Sequence, residues 1–382
     1  MHIAFIWQVM VMLKKIIVFL TVFCTMTVCS VALDSSDISA ECAVVISQQT
    51  GEVLFEKASD KRHSMASTTK IMTSIIASQS GRLNDEIIVT KDMIQVEGTS
   101  MGLLAGDRVS LKELVYGMLL PSGNDAANVT ANYLGGNVEN FVKQMNSTAK
   151  AIGMKNTNFV TPSGLDDEEH YSTAYDMALL GRYAVSDPFF RSVCSSKKAT
   201  VSYGNPPYKR TLYNHNRLLN SYPYALGIKT GFTKKSGRCL VSYAEKDGTG
   251  LVAVTLNAPS DWNDHRLMLD YGFSRLKRQV EKPNITDKIP VVGGNVENLD
   301  VQSEQFEYDS TEKRNVIQRV TVDNFVYAPV KKGDKVGEVE YFLNGEYIGS
   351  TDIVASSDVS VKITEQKDKS FFQKIKERFL ND

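Results

Sequence analysis

Residues 42–257 place strand-like patterns at both ends and helical patterns between them, and few architectures accept that order. Cys42–Ser47 and Val53–Phe55 are short apolar runs around Gln49-Thr50-Gly51, the pattern of a hairpin. From Ser64 the spacing becomes helical, with Ile71, Ile75 and Ile76 on one face and Gly81 near the end. Helical patterns continue over Leu111–Leu119, Asp125–Leu134, Val138–Ile152 and Thr173–Val185. β-rich runs return at Ala225–Thr230, Arg238–Glu245 and Leu251–Asn257, the last two joined across Lys246-Asp247-Gly248. The order predicts an α+β domain whose antiparallel sheet pairs the beginning of this stretch with its end.

After Phe273–Val280 the character changes. Residues 283–361 carry Pro283, Gly293-Gly294 and several short alternating runs. A strong hairpin signal, Asn344-Gly345, lies between Val336–Leu343 and Glu346–Ile353. This predicts a small all-β domain, with the boundary near Glu281-Lys282-Pro283. At about 100–200 residues per domain, a chain of 382 has room for two such cores. Within residues 366–382, Phe371, Phe372, Ile375, Phe379 and Leu380 recur at helical spacing, with Lys374, Lys376 and Arg378 between them. That is the pattern of an amphipathic tail able to lie in a membrane interface, or of a helix packed on the β domain.

At the other end, Lys14 and Lys15 precede an apolar run from Ile16 to Val28, followed by Cys29-Ser30-Val31-Ala32. A basic start, a short apolar stretch and small residues at Ser30 and Ala32 describe a secretory signal peptide over residues 1–32. The catalytic candidate is then residues 33–280 of an exported protein. Cys42, Cys194 and Cys239 remain after the leader, with no Cys-x-x-Cys pair or His cluster. Neither a disulfide framework nor a metal site is indicated, and no cofactor motif occurs. With 43 Lys+Arg against 44 Asp+Glu the chain has no overall field for a polyanion, so nucleic acid is not an expected partner.

Three short motifs carry the chemistry. Ser67-Thr68-Thr69-Lys70 opens the first predicted helix, where residues three apart share a face and a hydroxyl can meet an amine. Acyl transfer needs an activated hydroxyl, and a neutral lysine can take its proton once a pKa near ~10.4 is lowered. Burial, a second cation or the positive end of the helix would lower it. Ser-x-x-Lys alone is weak evidence, for it recurs at Ser147/Lys150, Ser195/Lys198 and Ser274/Lys277. Ser122-Gly123-Asn124 follows Pro121 in a loop before a helix. A second serine can relay a proton and an asparagine can hold an amide, although both are also ordinary helix-start residues. Lys229-Thr230-Gly231 ends a strand run, where an extended peptide could pair and its carboxylate be met. Lys235-Ser236-Gly237 fits the same loose pattern, but reads as a polar turn with its lysine toward solvent.

In this order the three motifs are those of penicillin-binding proteins and class A β-lactamases. The chain resembles the low-molecular-mass D-alanyl-D-alanine carboxypeptidases, serine penicillin-binding proteins of peptidase family S11. Ser64–Thr73, Leu103–Val129, Gly153–Gly164, His170–Leu179, Gly227–Leu240 and Asp270–Phe273 all have that family's look, which covers about residues 40–277. The resemblance implies a β-lactamase/transpeptidase-like catalytic domain, an antiparallel sheet with a helical subdomain, followed by the small all-β domain. It implies Ser67 as nucleophile toward the carbonyl between two terminal D-alanines and Lys70 as its base. Ser122 would pass a proton to the departing amine and Asn124 would hold the substrate amide. Lys229 would be the second cation, close to Lys70 and Ser122, with Thr230 on the C-terminal carboxylate. Gly231 would leave room for the backbone, and the amides of Ser67 and Phe232 would form the oxyanion hole. The implied partners are peptidoglycan stem peptides ending in D-Ala-D-Ala, β-lactams as covalent inhibitors, and the outer face of the cytoplasmic membrane through the tail.

Phe232 stands where relatives often carry tyrosine or histidine, and Ser236 where alanine is common; neither departure is expected to matter to the main-chain chemistry. A β-lactamase would need a glutamate–x–x–leucine–asparagine stretch between the second and third motifs. Glu340-Tyr341-Phe342-Leu343-Asn344 matches it but lies beyond Lys229, inside a predicted β hairpin. The same motif residues would also serve an endopeptidase acting on cross-links. A non-catalytic wall-binding protein could keep the fold, but nothing in the motifs favours it.

Overall fold

The computed structural model describes residues 32–286 and 288–363. Apart from Ala32, the leader read in residues 1–32 lies outside the described residues, as does the tail at 366–382. The first sheet is antiparallel, with the order β2-β1-β9-β8-β7. It is made of β1 (Cys42–Ser47), β2 (Val53–Lys57), β7 (Ala225–Thr233), β8 (Gly237–Lys246) and β9 (Thr249–Leu256). The expected pairing of start with end is therefore present: Cys42 faces Leu256 and Ser47 faces Leu251.

Alternation along the central strands explains why they read as unbroken apolar runs. Cys42, Val44 and Ile46 of β1 enter one core, while Ala43 and Val45 enter another on the opposite face. The helix Ala174–Val185 covers the first face and the helix Asp261–Arg275 the second. Helices Lys70–Gln79, Leu111–Leu119, Asn124–Gly135 and Val138–Ala151 build the larger core behind the site.

A smaller sheet in the order β3-β4-β5-β6 flanks this core. Its strands are β3 (Glu86–Ile88), β4 (Arg108–Ser110), β5 (Lys198–Gly204) and β6 (Pro207–Tyr213). The β5–β6 hairpin is missing from the sequence expectation, although Ala199, Val201 and Tyr203 alternate with Thr200 and Ser202 in β5. Nor does the sequence announce the helix Asp261–Arg275. Its buried stripe is Asp261, Asp264, His265, Met268, Leu269 and Gly272, so most of the inward positions are charged, titratable or empty. A search for apolar periodicity passes over such a helix.

β10 (Lys277–Glu281) pairs with β13 (Phe306–Ser310), so the chain leaves the first sheet ahead of Pro283. A six-stranded sheet follows in the order β14-β16-β17-β12-β11-β15. It uses β11 (Lys288–Val292), β12 (Asn298–Ser303), β14 (Val316–Val322), β15 (Val326–Tyr327), β16 (Lys335–Leu343) and β17 (Glu346–Ala355). The β16–β17 hairpin turns at Asn344-Gly345, both at positive φ (53° and 84°), as the dipeptide requires. Phe306 stacks on Tyr341 at 4.2 Å in a separate core. The two units touch through Glu52, which accepts from Ser310 Oγ at 2.8 Å and from Arg314 at 2.7 Å. A second contact runs from Arg182 to Glu346 at 2.7 Å.

Candidate active site

Ser67 lies in a short 3-10 turn, Ala66–Thr69, and the α-helix proper begins at Lys70. This differs slightly from a single helix beginning near Ser64, but it keeps Ser67 and Lys70 one turn apart. Lys70 Nζ is 2.9 Å from Ser67 Oγ, 2.6 Å from Asn124 Oδ1 and 2.7 Å from the Ser163 carbonyl. Its side chain is fully buried. Burial pushes its pKa well below the usual lysine range, the charge of Lys229 pushes further, and Asp125 partly opposes them. A neutral amine has two N–H bonds and one lone pair. Asn124 Oδ1 and the Ser163 carbonyl are acceptors only, so they take the two protons and leave the lone pair for the Ser67 hydroxyl. Of the Ser-x-x-Lys pairs at Ser67, Ser147, Ser195 and Ser274, only the first has a buried lysine.

The second motif comes from the turn before the helix Asn124–Gly135. Ser122 is buried, holds a positive φ of 67° and lines the cavity in front of Ser67. Its carbonyl accepts from Thr99 Oγ1 at 2.5 Å. Asn124 is not a simple cap: Oδ1 accepts from Lys70, and Nδ2 donates to the Glu97 carbonyl at 2.7 Å with its second N–H left over. Asp125 fixes the adjacent loop, accepting from the amides of Met101, Gly102 and Leu103 and from Ser100 Oγ.

The third motif lies on β7. Lys229 is buried, which draws its pKa down to about 7, and Nζ donates to the Thr230 carbonyl at 2.9 Å. Its charge acts on Lys70 and on His215, while Ser122 is not a hydrogen-bond partner of Lys229 among the described residues. Thr230, Gly231 and Phe232 line the cavity, Phe232 being largely exposed. Gly231 passes so close to the nucleophile's turn that a Cβ there would sit 3.0 Å from the Met65 carbonyl and 3.1 Å from the Ser67 amide nitrogen. The competing Lys235 is exposed in the β7–β8 turn.

Several neighbours carry no sequence motif. The segment 162–166 braces the nucleophile, with the Pro162 carbonyl accepting from Thr73 and the Ser163 carbonyl from Lys70. Asp166 accepts from Thr233 Oγ1 at 2.9 Å. Ser236, a departure that the sequence alone makes look inconsequential, is fully buried and hydrogen-bonded to Ser64 at 2.6 Å and Thr233 at 2.9 Å. The cavity, about 470 Å³, is completed by His215, Arg217, Arg238, Asp261 and Trp262. Arg238 is held by Asp261 at 2.8 Å and lies over the Trp262 ring. Only Gly164, in Pro162-Ser163-Gly164, gives a sequence signal. Carbonyls and ion-pair partners leave none. No cluster of three metal-ligating side chains occurs among the described residues. Glu340 sits on β16 beside Arg319 of β14, in the other sheet.

A serine beside a buried, proton-poor lysine, at the edge strand of an antiparallel sheet with helices on both faces, defines a serine peptidase of the acyl-transferring class. Comparison with known proteins makes this specific. Residues 28–260 match the D-alanyl-D-alanine carboxypeptidase family of S11 peptidases, and residues 278–361 match the penicillin-binding protein 5 C-terminal domain. The D-alanyl-D-alanine carboxypeptidase DacF of Bacillus subtilis (strain 168) is 32% identical over 336 residues, covering 84% of this chain and 86% of DacF. DacC of Escherichia coli (strain K12) is 31% identical over 349 residues, 86% of each chain. The structure of penicillin-binding protein 5 from Haemophilus influenzae superposes with a TM-score of 0.62 at 28% identity, over 86% of this chain and all of that one. The chain belongs to the S11 D-alanyl-D-alanine carboxypeptidase family.

Proposed function

We propose that this serine D-alanyl-D-alanine carboxypeptidase removes the terminal D-alanine of peptidoglycan stem pentapeptides through an acyl-enzyme on Ser67. Lys70 takes the Ser67 proton as Oγ attacks the carbonyl between the two D-alanines, giving a tetrahedral oxyanion. The amides of Ser67 and Phe232 receive that oxyanion, an interaction worth about 3–4 kcal/mol per donor in other enzymes. As the C–N bond breaks, Ser122 hands the leaving amine a proton, which Lys70 resupplies. Thr230, with Lys229 behind it, meets the terminal carboxylate, and the spare Asn124 N–H meets a substrate carbonyl. Water, deprotonated along the same route, then releases the shortened peptide and restores Ser67. β-Lactams present a similar carbonyl and acylate the same oxygen.

The observation that carries this reading is the 2.9 Å approach of a buried Lys70 to Ser67. Free D-alanine released from a soluble D-Ala-D-Ala peptide is the direct test. Ser67→Ala should abolish release and Lys70→Ala should cut it by at least about a thousandfold. Undiminished release by Ser67→Ala would overturn the assignment.

The family acts on cell-wall peptidoglycan, outside the cytoplasm. We place this chain there by the leader read in residues 1–32, with catalytic residues 33–280 and a β domain at 283–361. The tail at 366–382 would hold the enzyme against the outer face of the cytoplasmic membrane. No helix among the described residues is long and apolar enough to cross a membrane.

A further inference from the structure

The β domain has a near end and a far end. The tip of the β16–β17 hairpin meets the catalytic unit through Glu346 and Arg182. β17 then runs away from that contact to Ala355, about 30 Å at the usual rise per residue. Ala355 pairs with Val301, and Asn298, at the far end of the same strand β12, pairs with Pro290. Beyond them Val291 pairs with Val326 and Val292 with Tyr327. The Asn295 amide donates to the Ser360 carbonyl at 2.9 Å, and the Lys362 amide to the Gly293 carbonyl at 2.8 Å. Residues 291–297, 325–328 and 359–363 thus gather at the pole farthest from the catalytic unit.

This pole is unusually apolar for an exposed surface. Val292, Val296, Phe325, Tyr327, Val361 and Ile363 are all exposed there, Tyr327 at 68% and Ile363 at 88%. The Phe325 and Tyr327 rings meet edge to face at 5.3 Å, so the two aromatics form one projection rather than two scattered side chains. Lys331, Lys332 and Lys362 share the pole with Glu297, Asp334 and Asp358. Asp334 is occupied by the Lys331 amide and Asp358 by the Lys332 amide. The pole is therefore not a cationic patch, and its distinguishing chemistry is aromatic and aliphatic.

We propose that this edge, centred on Phe325 and Tyr327, is a second lipid contact that inserts into the membrane interface beside the tail. The inference rests on the membrane reading of residues 366–382. The described chain ends at Ile363, on this same edge, and seven residues of sequence separate Ile363 from Phe371. Aromatic side chains are favoured at the headgroup level, and single weak anchors hold poorly unless a second joins them. Two contacts on one pole would also set the orientation of the β domain, with the catalytic unit at its other end.

The test is sedimentation of residues 33–382 with vesicles of phosphatidylglycerol and phosphatidylethanolamine. A Phe325→Ser/Tyr327→Ser double variant should partition at least about tenfold more weakly with the tail intact, while releasing D-alanine from soluble peptide at the wild-type rate. A polarity-sensitive dye on Phe325→Cys should shift to the blue when vesicles are added, and one on Ile317→Cys of β14 should not. Wild-type partitioning by the double variant, or a dye at 325 that stays in water, overturns the proposal. Lipid-free dimers lost in the double variant, with vesicle binding unchanged, would overturn it in favour of a second copy as occupant. Failure of the wild type itself to bind vesicles would instead overturn the membrane reading beneath it.

Discussion

A lysine serves as a base only while neutral, and two features keep Lys70 so: complete burial and the nearby Lys229. Because its folded pKa is depressed, lowering pH through that value protonates the amine and stops acylation. Lys229→Ala removes the neighbouring cation, so Lys70 should hold its proton to higher pH. The acid limb of the acylation pH profile should therefore move up, with a lower plateau from the weakened carboxylate site. An unmoved limb would show that burial alone sets the Lys70 pKa. At this scale the three motifs made the ionisable centre legible, since Ser67, Lys70, Ser122, Asn124 and the 229–232 run all converge. What was hidden is the Ser163 carbonyl, because a backbone oxygen leaves no residue-type signature.

Elements matter here for how closely they approach. Gly164 has φ +88°, and a Cβ on it would lie 1.9 Å from the Ala66 carbonyl, inside the turn that carries Ser67. Backbone cannot yield there as a flexible side chain can. Gly164→Ala should thus displace the turn and lower the penicillin acylation rate by at least about a hundredfold, with thermal stability reduced as well. Acylation at the wild-type rate would mean that segment 162–166 does not brace the nucleophile. Strands and helices with clean periodicity, such as Leu111–Leu119 and the β16–β17 hairpin, could be read directly. The β5–β6 hairpin could not be read as a pair: β5 alternates Ala199, Val201 and Tyr203 with Thr200 and Ser202, but β6 buries only Leu212. Nor could Asp261–Arg275, whose inward face is built on Asp264 bonded to Ser39 and Ala40 and on His265 between Ser242 and Thr255.

For the whole molecule, those same buried polar groups set the acid limit of the fold. Burial lowers His265 to about 3 and His170 to about 4. The unfolded chain takes up these protons near pH ~6.5 while the folded one does not, so stability is lost as pH falls below that value. At pH ~5 each histidine contributes roughly 2 kcal/mol of this loss. Denaturant unfolding from pH ~7 to ~5 should show it, and His265→Gln should flatten the curve by about half. A curve equally steep in the variant would assign the acid limit to other groups. The two-unit architecture was visible from the change of pattern after Phe273, but the polar contacts joining the units, from Glu52 to Arg314 and from Arg182 to Glu346, were not.

The central claim is that Ser67, activated by Lys70, carries the acyl group. An intact-mass time course with penicillin, on wild-type protein and on Ser67→Ala, tests it most directly. The account predicts one long-lived adduct of one penicillin per chain on the wild type and none on the variant. An adduct on folded Ser67→Ala, or none on either protein, would contradict it.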